Sequence, residues 1–288
     1  MSKFDCESSR VWGPVRRHAA WAAGAASLAG MLAVLPVQAE LGEQSLGATQ
    51  ATPESTGVFY VYPGRPRVWL SRHGNLLRFE GPQGYDHIGV GELSEGYVLC
   101  YGSRQAWDVG YTESGFGPSS ASCSGSSCTI IRNTTDGQFR LRQVIWKNEI
   151  ERALNVEMTL TKLGQSPAYG VILRRQVDPD VDAGGSLGSG SFVNWFGATE
   201  RESVWAWNSR YDTSREGHAV TLRQIIRSPG YVPYWAKVTA QILDTSCSPG
   251  NLAESGPVQG DYGATLQYDV GTMNAGAVFT GRVQYQRN

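Results

Sequence analysis

The feature that most constrains this chain is the run Leu154-Asn-Val-Glu-Met-Thr-Leu-Thr161, in which apolar and polar side chains alternate without a break. Leu154, Val156, Met158 and Leu160 fall on one face; Asn155, Glu157, Thr159 and Thr161 fall on the other. A period of two is the signature of an antiparallel strand with one face on a core and one on water. The run at 139–146 begins the same way, with Phe139, Leu141 and Gln143 on one side. No segment sustains a 3.6-residue period over three turns, so helices are not the building material. Further short β-prone runs punctuated by Gly, Pro, Asn and Asp occur at 58–62, 67–70, 76–79, 96–101, 170–177, 203–207, 219–226, 235–243, 264–270 and 277–285. The last two flank a turn-rich linker, residues 271–276, that suits a closing hairpin. About a dozen strands without intervening helices predict an all-β fold, a large two-sheet antiparallel sandwich.

The first 39 residues have the three parts of a cleavable export signal. Arg16, Arg17 and His18 end a basic region, residues 19–35 are apolar and small, and Val37-Gln38-Ala39 offers a cleavage site. The expected organisation is a signal peptide (1–39), a flexible mature N-terminus (40–56) and a single β-sandwich domain (57–288). The expected location is secreted or periplasmic, with no transmembrane anchor after cleavage. The paired arginines leave the Sec and twin-arginine routes both open. Of 25 basic and 26 acidic side chains the leader removes four and two, leaving 21 and 24. That weak negative balance argues against nucleic acid as a partner.

Of five cysteines, Cys6 leaves with the leader. The remaining Cys100, Cys123, Cys128 and Cys247 are an even set in an exported chain, which reads as two disulfides. Cys123 and Cys128 lie close enough along a Ser/Gly-rich loop to pair locally, which leaves Cys100 for Cys247.

Val156-Glu-Met-Thr-Leu-Thr161, then Val171-Ile-Leu-Arg-Arg-Gln-Val-Asp-Pro-Asp-Val181 and Phe192, resemble a pattern of exported bacterial β-sandwich proteins of unassigned function: an alternating strand, then R-R-x-x-D-x-D-V, then a Phe-containing segment. The segment from Tyr268 to Gly276 resembles the closing hairpin of such domains, and Pro179 replaces the aromatic residue common between the two aspartates. The resemblance covers about half of the mature chain and implies an envelope or extracellular setting with no established catalytic residues.

Three constellations carry candidate chemistry. Asp178, Asp180 and Asp182 are carboxylates at alternate positions beside glycines, a donor set suited to calcium. The EF-hand pattern fails, because the glycine falls one place late and Ser189 stands where the bidentate glutamate belongs. The competing reading pairs Asp178 and Asp180 with Arg174 or Arg175, or has them cap the turn at the strand end. Trp195, Trp205 and Trp207 are candidate ligand-binding residues; Trp205 and Trp207 share a strand face and suit stacking against sugar rings. Glu200 and Glu202 are candidate catalytic carboxyls, as glycosidic chemistry needs a pair. Asp86-His87 with Glu92 is a lesser polar cluster, and His73, His87 and His218 are too dispersed for a zinc triad. Read alone, the sequence favours a non-enzymatic binding or scaffolding protein whose partner is carbohydrate or a cell-envelope component. The alternatives are a carbohydrate-active enzyme, a glycoside hydrolase or lyase using Glu200, Glu202 or Asp178, and a structural envelope component.

Overall fold

A computed structural model describes residues 49–50, 53–90, 93, 95–181, 193–199, 202–208, 219–224, 234–242, 244–248, 251–253 and 257–287. Their strands form three antiparallel sheets. The first is ordered β1 (Thr49–Gln50), β7 (Thr112–Ser114), β6 (Arg104–Val109), β5 (Glu95–Tyr101), β12 (Ala168–Val177), β19 (Gly263–Met273), β16 (Tyr234–Thr239) and β17 (Asn251–Ala253). The second is ordered β18 (Val258–Gly260), β13 (Asn194–Thr199), β14 (Ser203–Asn208), β15 (Ala219–Gln224), β20 (Val278–Arg287), β11 (Ala153–Lys162), β10 (Phe139–Asn148), β9 (Ser127–Asn133) and β8 (Ser120–Ser124). The third holds β2 (Val58–Tyr62), β3 (Arg67–Ser71) and β4 (Leu76–Glu80).

The alternation that identifies β11 also buries it. Leu154, Val156, Met158 and Leu160 join Val220, Leu222, Val283 and Tyr285 of the nine-stranded sheet in one core with Leu99, Leu173, Leu266 and Tyr268 of the eight-stranded sheet. β14 and β15 face β19 across that core, so the two large sheets form a sandwich. Val68, Leu70, Leu76 and Phe79 of the third sheet pack on the same core. The described residues hold more strands than the dozen expected: β1, β7, β17 and β18 are two or three residues long and carry no readable period, β6 was not read as a strand, and β8 and β9 pair within the stretch read as a Ser/Gly-rich loop. Within the segment read as a loose N-terminus, β1 pairs with β7 and Pro53–Thr56 forms a helical turn, α1. Among the described residues no helix is long and apolar enough to cross a membrane.

One expectation is wrong. β19 and β20 are not a hairpin: β19 pairs with β12 and β16, while β20 pairs with β11 and β15 in the other sheet. Alternation fixes which face of a strand is buried but not which neighbour it pairs with, so the 271–276 linker reads as a hairpin loop when it carries the chain between sheets.

The turn between β3 and β4 enters the space between the large sheets and is held by charge. His73 Nδ1 lies 2.7 Å from Asp108 Oδ2, and Arg132 bonds Asp108 and Glu113, the latter at 2.8 Å. Arg175 Nε donates to Glu95 Oε1 at 2.6 Å, and its Nη1 and Nη2 donate to Gln143 and to the Gly74 carbonyl. The turn needs Gly74, whose φ is +87°, a conformation that costs little only without a Cβ. Burial alone lowers the His73 pKa, but the hydrogen bonds from Asp108 and Glu113 outweigh it and raise it to about 9.

Candidate functional site

Along β12 the side chains alternate with the same period, and the set turned away from the core is mixed: Ile172 packs with Val98 and Cys100, followed by polar positions. Val171, Leu173 and Val177 enter the core, whereas Arg174 and Gln176 lie on the opposite face and Asp178 continues their series. The register places Arg174 beside Val98 on one side and Gln267 on the other; beyond these stand Trp107 and Trp235. A row Trp107–Val98–Arg174–Gln267–Trp235 therefore crosses five strands, about 19 Å at the usual strand spacing. The next row is Val109–Gly96–Gln176–Thr265–Lys237. Lys237 Nζ sits over the Trp235 ring, 4.6 Å from its centroid.

This outer face carries polar atoms without partners. Arg174, Gln176 and Gln267 are only 1 %, 3 % and 5 % exposed. Arg174 Nε, Gln176 Nε2, Gln267 Oε1 and Trp107 Nε1 are buried and make no hydrogen bond. Buried polar groups in native proteins are nearly always paired, so four orphans on two adjacent rows call for a ligand or ordered water. The rest of Arg174 holds a loop: Nη1 donates to the Ser246 carbonyl at 2.7 Å and Nη2 to that of Asp244. Burial pushes its pKa down to about 10. Cys247 in that loop is bonded to Cys100, which stands beside Ile172 on the same face, so a disulfide and a guanidinium together hold one wall of the site. The second disulfide joins Cys123 and Cys128 at the β8–β9 turn, the pairing expected from spacing.

At the end of β12 the face becomes acidic. Asp178, Asp180 and Asp261 each offer an oxygen within 4.8 Å of the others. Asp261 belongs there because Val177 pairs with Ala264, which brings the start of β19 alongside the end of β12. Asp180 is 2 % exposed and its Oδ1 has no partner. Burial first, then repulsion from Asp261 and Asp86, raises its pKa to about 7. Burial also raises Asp86, although its Oδ1 accepts backbone N–H groups from Phe79, Ile88 and Gly89 and Arg78 lies 3.4 Å away. The reading that paired Asp178 and Asp180 with arginines is thereby corrected for Asp180: Arg174 is spent on the Asp244–Ser246 loop and Arg175 on Glu95, on the opposite face of the strand.

The other expected site residues lie elsewhere. Trp195, Trp205 and Trp207 are on the outer face of the nine-stranded sheet, since Phe196, Val204 and Ala206 between them enter the core. Trp205 and Trp207 meet edge to face at 72° and do not form a flat plate; Trp207 stacks on Trp195 instead, at 6.2 Å and 15°. Trp205 lies on Gly197, where a Cβ would stand 1.3 Å from its ring. Glu202 sits in the β13–β14 turn, its N–H donating to the Thr199 carbonyl, remote in register from the acidic end of β12. Glu200, Asp182, Glu92 and His218 lie outside the described residues. His87 is buried, with Nε2 2.7 Å from the Gly81 carbonyl. Sequence reasoning missed Gln176, Gln267, Trp107, Trp235 and Asp261; the outward positions of β12 were readable from its alternation, but their cross-strand neighbours were not.

The fold is an antiparallel two-sheet β-sandwich whose eight-stranded sheet turns a second buried layer away from the shared core, with polar groups beside the apolar cluster of Val98, Cys100, Trp107 and Val109. No protein-family model and no curated protein matches the chain. Among solved structures it is similar to a bacterial glucoamylase complexed with acarbose, with a TM-score of 0.54 and 10 % identity over 84 % of this chain and 34 % of that one. The chain thus spans about a third of the glucoamylase. It also aligns with an Escherichia coli K12 protein designated an aldose 1-epimerase (TM-score 0.46, 12 % identity, 80 % and 98 % covered). A galactose mutarotase related enzyme from Lactobacillus acidophilus aligns at TM-score 0.40 and 7 % identity, with 80 % and 97 % covered. Identities this low show the fold alone. One expectation is corrected: a bacterial glucoamylase shares this fold, so the fold gives no support to the preference for a non-enzymatic binding or scaffolding protein over the enzyme alternative.

Proposed function

We propose that the chain is a carbohydrate-active enzyme that works outside the cytoplasm and seats its sugar on the outer face of the eight-stranded sheet. The observation that carries this is the set of unpaired buried atoms on that face: three donors, from Arg174, Gln176 and Trp107, and one acceptor, from Gln267. Sugar hydroxyls donate and accept at once, so a single chain of them can satisfy both kinds. Trp235, half-buried with Lys237 over one face of its ring, offers an apolar surface suited to the C–H face of a sugar unit at one end of the row, while Trp107 packs with Val98, Cys100 and Val109 at the other. The fold of a glucoamylase that binds acarbose supports the substrate class. Two disulfides support the extracellular or periplasmic setting.

In this reading the carboxyl groups of Asp178, Asp180 and Asp261 stand at the end of the rows, within reach of a sugar lying along them. Their close spacing, within 4.8 Å, leaves no room for the water that sits between carboxyls about 6.5–9.5 Å apart. This reading does not draw on Glu202, which sits in the β13–β14 turn of the other sheet. The test is an oligosaccharide panel read for new reducing ends, unsaturated products and changes of anomeric ratio. Product is expected, and Gln176→Ala and Gln267→Ala should each lower kcat/KM by about tenfold, the value of one buried hydrogen bond. Absence of product across the panel, or variants as active as the parent, would overturn the proposal.

A further inference from the structure

Two groups among the described residues have the spacing of metal ligands, and they differ in what already holds them. In His73–Asp108–Glu113 the counter-charge is present, because the Arg132 guanidinium reaches both carboxylates. In Asp178–Asp180–Asp261 three carboxyl groups converge, each with an oxygen within 4.8 Å of the others, and Asp180 Oδ1 is buried with no hydrogen-bond partner. Carboxylates this close repel one another, and among the described residues no basic group pairs with Asp180. Asp86 adds a fourth acidic group on the side of the third sheet, but its Oδ1 is occupied by backbone N–H groups, so it contributes field rather than a ligand.

We propose that Asp178, Asp180 and Asp261 bind one divalent, oxygen-seeking cation, calcium in an extracellular setting. An all-carboxylate donor set excludes the softer metals, which prefer histidine or cysteine. Calcium tolerates irregular geometry and completes its six to eight positions with carbonyls and water, whereas magnesium demands a near-ideal octahedron. Asp178 and Asp180 follow a rigid central strand and Asp261 is exposed, so the site is open on one side. An ion there has positions left for sugar oxygens, which makes it a cofactor of the face described above. That role rests on the sugar proposal; the binding of the ion does not.

The experiment is a calcium titration of the full chain after chelation, without sugar, read by calorimetry and by the melting temperature. Saturable binding is expected at about 10⁻⁴–10⁻³ M or tighter, with a rise in melting temperature and a weaker response to magnesium. Asp180→Asn and Asp261→Asn should each weaken calcium binding at least about tenfold, while Glu202→Gln binds as the parent does. Asp261 is exposed, so its variant keeps the test decisive if Asp180→Asn fails to fold. No saturable binding at about ten times the upper concentration, or parental affinity in both aspartate variants, would overturn the site. Calcium binding without activity on any sugar would retain the site and sink only the sugar proposal.

Discussion

Replacing Asp180 by Asn in metal-free protein should stabilise the fold at alkaline pH, against the usual effect of a core substitution. Asp180 keeps its proton up to about pH 7 in the folded protein, whereas an unfolded aspartate loses it near 3.9. The folded state therefore binds the proton more tightly, and stability falls as pH rises from about 4 to 7. Below that window the penalty is absent; above it the penalty is complete. The gap of about three pH units, at 1.36 kcal/mol each, sets an upper limit of about 4 kcal/mol. Burial sets most of it, followed by repulsion from Asp261 and from Asp86, which itself has Arg78 3.4 Å away. Asparagine has nearly the shape of the protonated acid and never ionises. Urea unfolding of both proteins in chelator, at pH 4.5 and pH 8, measures the difference. The asparagine variant should lead by only about 1 kcal/mol at the lower pH and by about 2–4 kcal/mol at the higher. A difference independent of pH, or a variant weaker than the parent at pH 8, would refute the claim of an unneutralised buried carboxyl.

Two further outcomes follow from the interior network and the cross-links. His73 is raised to about 9, so its contribution is full below about 6.5 and disappears as pH climbs through 9. His73→Gln should cost about 3 kcal/mol near pH 6 and flatten the alkaline decline, both read from denaturant melts; an unchanged pH profile would contradict the ion-pair description. The Cys100–Cys247 bridge closes a loop 147 residues long and Cys123–Cys128 one of 5. Removing the first should cost about 5 kcal/mol and removing the second about 2, measured with paired serine variants. Equal losses would show that loop closure is not what the long bridge supplies.

What the sequence made legible follows from local chemistry. The alternation at 154–161 locates β11 and its buried face, and cysteine spacing identifies both disulfides. Asp178 and Asp180 were identifiable as a polar cluster because both lie just past one strand. Their third partner was not, because Asp261 arrives only through the β12–β19 pairing, and a period of two carries no record of partners. The same limit hid the Arg174–Gln267 neighbours and made β19 and β20 look like a hairpin. The arrangement of Trp195, Trp205 and Trp207 was hidden for a different reason. Large aromatics serve packing as readily as binding, and Trp205 covers Gly197 through a contact made across the β13–β14 pair.

The central claim is that sugar lies on the outer face of the eight-stranded sheet, and the most direct measurement is a crystal structure with an oligosaccharide bound. Density along the row from Trp107 to Trp235, with hydroxyls on Gln176 Nε2 and Gln267 Oε1, is the predicted result. Sugar stacked on Trp195 and Trp205 of the opposite sheet, with the Gln176 and Gln267 atoms still unpaired, would contradict it.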